Sequence, residues 1–186
     1  MQAASGTSLN DSDFGSPIPR PRARRRLGLF VLVASLVYAV DVVTKIVAVE
    51  VLTGQPPVQV VGELLQLRLT RNPGAAFSLG TSATLALSLV SIAVIVIVGW
   101  LARRVGTPLW ATALGLLIGG AAGNLTDRVF RAPAPEEVLQ GHVVDFLELP
   151  NWPVFNVADS AIVVAAVLIV VQSFRGVQID GGRAHT

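Results

Sequence analysis

The chain contains no cysteine among its 186 residues, which excludes disulfides, thiolate metal sites and a cysteine nucleophile. Histidine is almost as scarce: His142 and His185 are the only two, so a His-rich metal site is not expected. Charge is scarce as well. Only 14% of the residues are charged, against about 25% in an ordinary soluble domain. Internal repeats and low-complexity tracts are both lacking. What fills the chain is apolar, with 52% hydrophobic residues and a mean hydropathy of +0.64. This is the composition of an integral membrane protein, and the length allows one compact membrane domain with little beyond it.

The apolar residues fall into four runs. Residues 1–26 are polar and end in Arg20, Arg22, Arg24, Arg25 and Arg26; such a segment buries too little apolar surface to fold and is expected to be a disordered cytoplasmic tail. The apolar stretch after it is too long for a signal peptide and lacks a small-residue cleavage site, so it reads as a retained anchor. About 20 residues cross a bilayer core, which places spans at about 27–48, 83–101, 109–126 and 154–174. The membrane domain then covers residues 27–175, with 176–186 as a C-terminal tail.

Arginines orient these spans. Five precede the first, Arg103 and Arg104 fill the link between the second and third, and Arg175 and Arg183 follow the fourth. All three groups share one side only if there are four crossings, so both termini are expected in the cytoplasm. The outer loops still hold Arg68, Arg71, Arg128 and Arg131, so the bias is not absolute. Between the first two spans, residues 65–71 alternate apolar and polar side chains, the period of a half-buried strand. Val58 to Val61 is a candidate partner across Gly62, and Asn72-Pro73-Gly74 is a turn signal. The expected fold class is therefore all-α and membrane-integral, with four transmembrane helices and a small extracytoplasmic β-structure between helices 1 and 2.

Depth brings the polar residues together. At about 1.5 Å per residue, Asp41 lies roughly 20 Å along the first helix, in its outer half, and Lys45 shares its face at i+4. The third helix carries Asn124, Asp127 and Arg128 at its outer end. The fourth enters from outside with Asn156 and Asp159 in its first two turns. Asp145 lies in the loop before it. An ionisable group in an apolar span costs roughly 2.5–3.5 kcal/mol on insertion scales and suggests a functional site. Asp159 has no basic residue within a turn and must find a partner on another helix.

Plainer readings stand beside these. Asp41 and Lys45 can simply neutralise each other. Gly119-Gly-Ala-Ala-Gly123 has the spacing of a close helix contact. Glu136 and Glu137 read as solvated loop residues, His142 as incidental, and Trp152 as an interfacial anchor. From the residues alone a small ion- or proton-coupled membrane transporter or channel and a noncatalytic four-helix scaffold stay open beside a hydrolytic site. Against transport, nothing continues the polar path toward the cytoplasmic side.

Five blocks in order resemble the lipoprotein signal peptidases, the bacterial type II signal peptidases: Asp41-Val-Val-Thr-Lys45, Asn72-Pro-Gly-Ala-Ala-Phe77, Gly119 through Arg128, His142-Val-Val-Asp-Phe146 and Phe155-Asn-Val-Ala-Asp-Ser160. The resemblance implies a four-helix aspartyl endopeptidase of the bacterial cytoplasmic membrane. It would remove signal peptides from diacylglyceryl-modified prolipoproteins on the amino side of the lipidated cysteine. Asp145 and Asp159 match the family's catalytic pair. Asn72 and Arg128 match substrate contacts, and Asp41, Lys45, Gly74, Asn124, Asp127, Asn156 and Ala158 match positions that shape the site. No cofactor, metal or nucleic acid is implied; the partners are the lipidated substrate and membrane lipid, and a monomer is expected. Asp127 is the rival carboxylate, with its neighbour Arg128 and its helix-end position favouring a supporting role. Pro73 stiffens its turn, and the 1–26 tail is longer than in compact members.

Overall fold

The computed structural model describes residues 26–74, 81–132 and 139–182. The expectations for the tail at 1–25, for Ala75 to Phe77, for Glu136 and Glu137, and for 183–186 lie outside the described residues. Four helices and three strands follow one another as α1 (Leu27–Leu52), β1 (Val58–Val61), β2 (Leu65–Asn72), α2 (Thr81–Leu101), α3 (Pro108–Phe130), β3 (Val143–Glu148) and α4 (Val157–Phe174). All four helices are long and apolar enough to cross a membrane. They are arranged inside out relative to a soluble protein. α1 buries Asp41 and Lys45 while Leu32, Leu36 and Val43 stand exposed, as suits a helix whose outer solvent is lipid.

α3 is the central helix and packs against the other three. Its glycines make this possible by leaving no side chain at the points of closest approach. A β-carbon on Gly115 would meet the Phe30 carbonyl oxygen at 2.9 Å, and one on Gly119 would meet that of Ala34 at 2.7 Å. Gly120 turns the other way, toward the Ala158 carbonyl at 2.6 Å. The small-residue run thus serves two neighbours, α1 on one face and α4 on the other.

At one end the helices meet a three-stranded antiparallel sheet in the order β1-β2-β3. The hairpin expected across Gly62 is present, with Val58 opposite Leu67. The third strand corrects the expectation for residues 143–148, which read as loop. β3 pairs with β2, Thr70 opposite Asp145 and Asn72 opposite Val143. Val143 through Phe146 are all buried, so the alternation that marks a half-exposed strand is missing. The chain then folds back, and Phe155 pairs with Leu147 through bonds of 2.8 and 2.9 Å. α4 consequently begins at Val157, three residues later than the apolar run.

The opposite end is closed by apolar packing. Phe30, Val98, Ala102, Val105, Trp110 and Leu114 form its core, with Val177 and Ile179 packed against it. Backbone bonds tie the three segments there together: Arg26 N–H donates to Val105 (3.0 Å) and Gly106 N–H to Ile179 (2.9 Å). The start of α1, the α2–α3 link and the segment after α4 therefore share one end, as four crossings require.

Candidate active site

The polar residues of α1, α3, α4 and the sheet form one connected network at the sheet end. Lys45, the only lysine in the chain, lies at its centre with 1% of its side chain exposed. Its ammonium group has three protons to place. It finds Asp41 Oδ2 at 2.8 Å, Asp127 Oδ2 at 3.0 Å and Asn124 Oδ1 at 2.8 Å. Taking charges out of water costs several kcal/mol per ion, and this threefold pairing offsets that cost.

Asp41 and Asp127 are then fully committed. The other oxygen of Asp41 accepts the N–H of Ala158 in the first turn of α4, at 2.8 Å. Gly123 lets that carboxylate close on α3; a β-carbon there would collide with Asp41 Oδ2. Asp127 also accepts from Arg131 Nε and, at 3.1 Å, from the N–H of Val144. The cations beside Asp127 are thus Lys45 and Arg131, not its neighbour Arg128. Consecutive helical residues point away from each other, whereas i and i+4 meet.

Asn156 ends the fold-back and caps α4. Its side chain accepts from Asp159 N–H at 2.9 Å, and its own N–H donates back to Asp159 Oδ2 at 3.3 Å, a capping box with aspartate in the second role. The Asn156 amide also donates to Asp145 Oδ1 at 2.7 Å and to Asn124 Oδ1 at 3.1 Å. One residue therefore touches both remaining carboxylates. Asn124 donates to Asp159 Oδ1 at 2.8 Å, which is the cross-helix partner that Asp159 required.

Asn72 closes the other side. The turn after β2 places Gly74 at φ 101°, a conformation that favours glycine. Gly74 N–H donates to Asn72 Oδ1 at 2.8 Å, leaving the amide to donate to Asp145 Oδ2 at 2.8 Å. Burial pushes the Asp145 carboxyl up to about 6. The Asn72 amide pulls it back, the nearby charge of Asp159 raises it again, and Asn156 and Lys45 lower it. Arg128 is buried within the field of both Asp145 and Asp159. Its Nη1 has no hydrogen-bond partner among the described residues.

The distribution of cations sorts the carboxylates. Asp41 and Asp127 are ion-paired, while Asp145 and Asp159 have no ion pair among the described residues. They are held by amides instead, and Asp159 is only half-buried. Burial holds the Asp145 carboxyl upward, and the Asn156 side chain and backbone N–H link it to the half-buried Asp159.

Residues 33–175 match the family model described as Signal peptidase (SPase) II. The chain belongs to the signal peptidase II family. It is 49% identical over 166 residues to the lipoprotein signal peptidase of Mycobacterium avium (strain 104), covering 89% of this chain and 90% of the relative. The lipoprotein signal peptidase of Rhodococcus jostii (strain RHA1) is 49% identical over 175 residues, covering 94% and 87%. A bacterial membrane enzyme solved by the in meso method at 1.9 Å resolution superposes with a TM-score of 0.71 at 25% identity, covering 84% of this chain and 99% of that one.

Every site residue expected in this signal peptidase II chain lies in the network or beside it. Asp41, Lys45, Asn72, Asn124, Asp127, Asp145, Asn156 and Asp159 interact through side chains. Gly74 and Ala158 contribute backbone N–H groups, and Arg128 faces the carboxylates. Among the described residues His142 contributes its backbone N–H, which donates to the Ala132 carbonyl at 3.1 Å. Arg131 is the one ion-pair partner in this network that the sequence reading does not include, although its i+4 spacing from Asp127 is a signal for it.

Proposed function

We propose that this signal peptidase II removes the signal peptide from diacylglyceryl-modified prolipoproteins, cutting on the amino side of the lipidated cysteine, with Asp145 and Asp159 as its catalytic pair. The observation that carries the assignment is that these two carboxylates form no ion pair among the described residues, while Asp41 and Asp127 do. Two neighbouring carboxylates do not both ionise readily, so in this reading one acts ionised and the other protonated. The ionised carboxyl takes a proton from water, which attacks the scissile carbonyl. The protonated carboxyl polarises that carbonyl, then supplies a proton to the leaving amine. Asn72 and Asn156 keep Asp145 in place, and the buried Arg128 Nη1, without a hydrogen-bond partner among the described residues, would donate to a peptide carbonyl of the substrate.

The site is assigned to the extracytoplasmic face, with both termini in the cytoplasm. Support comes from Arg26, Arg103, Arg104 and Arg175 lying at the end opposite the sheet, as the positive-inside rule favours. At that level the acyl chains of the substrate stay in lipid while its peptide bond reaches water. A transport pathway finds no support: below Asp41 the described core is an apolar cluster that includes Phe30, Val98, Trp110 and Leu114, with Gln172 a buried polar side chain at that end.

The test is cleavage of one prolipoprotein, with and without its diacylglyceryl group, by purified wild type, Asp145→Asn and Asp159→Asn. The wild type is expected to cleave the lipidated form selectively and both variants to be inactive. Equal cleavage of the two substrates would sink the lipid requirement, and full activity in either variant would sink the pair.

A further inference from the structure

α2 is the most apolar of the four spans, yet two of its hydroxyl side chains, Thr84 and Ser88, are buried. A hydroxyl in a helix commonly returns to the carbonyl four residues back. Ser91 does so to Leu87 at 2.9 Å, and Ser173 to Ile169 at 2.8 Å. Thr84 and Ser88 reach outside their helix. Thr84 Oγ1 donates to the carbonyl of Pro73. Ser88 Oγ lies 2.6 Å from the carbonyl oxygen of Leu139, closer than the 3.0 Å to its own helix at Thr84. Spaced at i and i+4, the two occupy one face of α2.

Both acceptors lie where the chain meets the strands of the site. Pro73 stands between Asn72 and Gly74, inside the turn that directs the Asn72 amide at Asp145. Leu139 precedes β3, the strand that carries Asp145, and adopts φ 65°, uncommon for a residue with a side chain. Gly141, two residues on, donates to the Arg128 carbonyl at 2.9 Å. α2 thus holds both the turn that follows β2 and the segment that leads into β3.

We propose that Thr84 and Ser88 form a latch through which α2 fixes the Asn72 turn and the entry to β3, making Thr84 a positioning residue for the reaction. The proposal rests on the assignment of Asp145 and Asp159 given above. Its chain of contacts runs from the Thr84 hydroxyl to the Pro73 carbonyl, through the Asn72 turn, to Asp145 Oδ2. Hydrogen bonds between membrane helices contribute modestly to stability, so the latch should matter more for geometry than for folding. Small misplacements of a reacting group cost up to about 10²-fold in rate.

Thr84→Val removes the hydroxyl at nearly constant shape. With a diacylglyceryl-modified prolipoprotein as substrate, kcat is expected to fall roughly 10-fold at nearly constant KM. The alkaline limb of kcat/KM should move upward, because a weaker Asn72 bond no longer holds Asp145 down. Thr84→Ser should restore both. On an Asn72→Ala background, Thr84→Val should add nothing, since the latch acts through Asn72. Wild-type kcat and pH profile in Thr84→Val would overturn the latch, as would a full further loss on the Asn72→Ala background. If Thr84→Val does not accumulate, Ser88→Ala decides: lower kcat at unchanged thermal stability supports the latch, and unchanged kcat overturns it. Asp145→Asn runs alongside, and activity surviving there would count against the catalytic pair rather than the latch.

Discussion

The two ends of this bundle are buried to similar degrees by different means. At one end, Phe30, Val98, Val105, Trp110 and Leu114 pack as an ordinary apolar core, closed by Val177 and Ile179 from the C-terminal segment. At the other, Asp41, Lys45, Asp127, Arg128, Asp145 and Asn156 are buried together beneath the sheet. Burying charge is expensive and is often no more stabilising than an apolar core of the same volume. A fold that needed only stability could have used the first solution twice. Under the proposed assignment the second end gives up stability for reactivity, its ion-paired carboxylates holding it together and the other two doing the chemistry.

The strongest way to probe that division is to remove charge from each class. Asp145→Asn and Asp159→Asn should each lower kcat by at least about 10³-fold, measured on the diacylated substrate, with the helical circular dichroism and membrane insertion of wild type. Asp127→Asn should not mimic them. It strips charge from the Lys45 and Arg131 pairs, so its loss should appear in thermal stability as well as in rate. A catalytic defect in Asp127→Asn as deep as that of Asp145→Asn, at wild-type stability, would reverse the roles assigned here.

Lys45→Met attacks the same end from the cation side. It leaves Asp41 and Asp127 buried without the ammonium group that both share. Breaking one partner of a buried pair costs about 3–5 kcal/mol, so thermal unfolding in detergent should show a large drop, with activity falling in parallel. A Lys45→Met protein as stable as wild type would mean that the pairing contributes little.

Many residues of the polar end can be placed from the sequence, and those that cannot share a cause. Lys45 four residues after Asp41, and Asn124, Asp127 and Arg128 at one helix end, could be placed by helical periodicity and depth. The alternating stretch at 65–71 announced β2. β3 did not announce itself, because Val143 to Phe146 are covered on both faces and its partner strand lies some seventy residues earlier. Asp145 therefore read as a loop residue whose meeting with Asp159 depended on a fold-back that only the Phe155–Leu147 pairing reveals. Likewise Arg128 seemed the cation for Asp127 by adjacency, where helix geometry gives that place to Arg131. Thr84 and Ser88 look like any small polar residue in a span; their partners are loop carbonyls, which no side-chain pattern marks.

A smaller effect should distinguish the reactive carboxyl by pH. The Asp145 carboxyl titrates near 6 when folded, against an ordinary value of 3.8. A raised pKa favours the protonated folded state, so its stabilisation is full below about pH 4 and is lost as pH rises through 6. Between pH 5 and 7.5 the wild type should lose on the order of 1 kcal/mol from this group. Asp145→Asn should lack that loss in thermal unfolding measured across the same range. The alkaline limb of kcat/KM should sit near the same pH, and Asn72→Ala should move it upward.

The smallest effect belongs to the apolar end, where it tests whether the two ends are separable. Trp110 Nε1–H donates to the Val177 carbonyl at 3.0 Å, pinning the segment after α4 against the start of α3. Trp110→Phe keeps a ring in the core and removes this donor, a change of about 1 kcal/mol for a neutral hydrogen bond. Val177 is only half-buried, so water can replace the lost partner and keep the penalty at that level. The network around Lys45 lies at the far end of the helices and shares no hydrogen bond with Trp110 among the described residues. Trp110→Phe should therefore lower the unfolding temperature slightly while leaving kcat and its pH profile unchanged. A change in kcat there would show that the apolar end sets the geometry of the polar one through α3, and the bundle would have to be treated as a single cooperative unit.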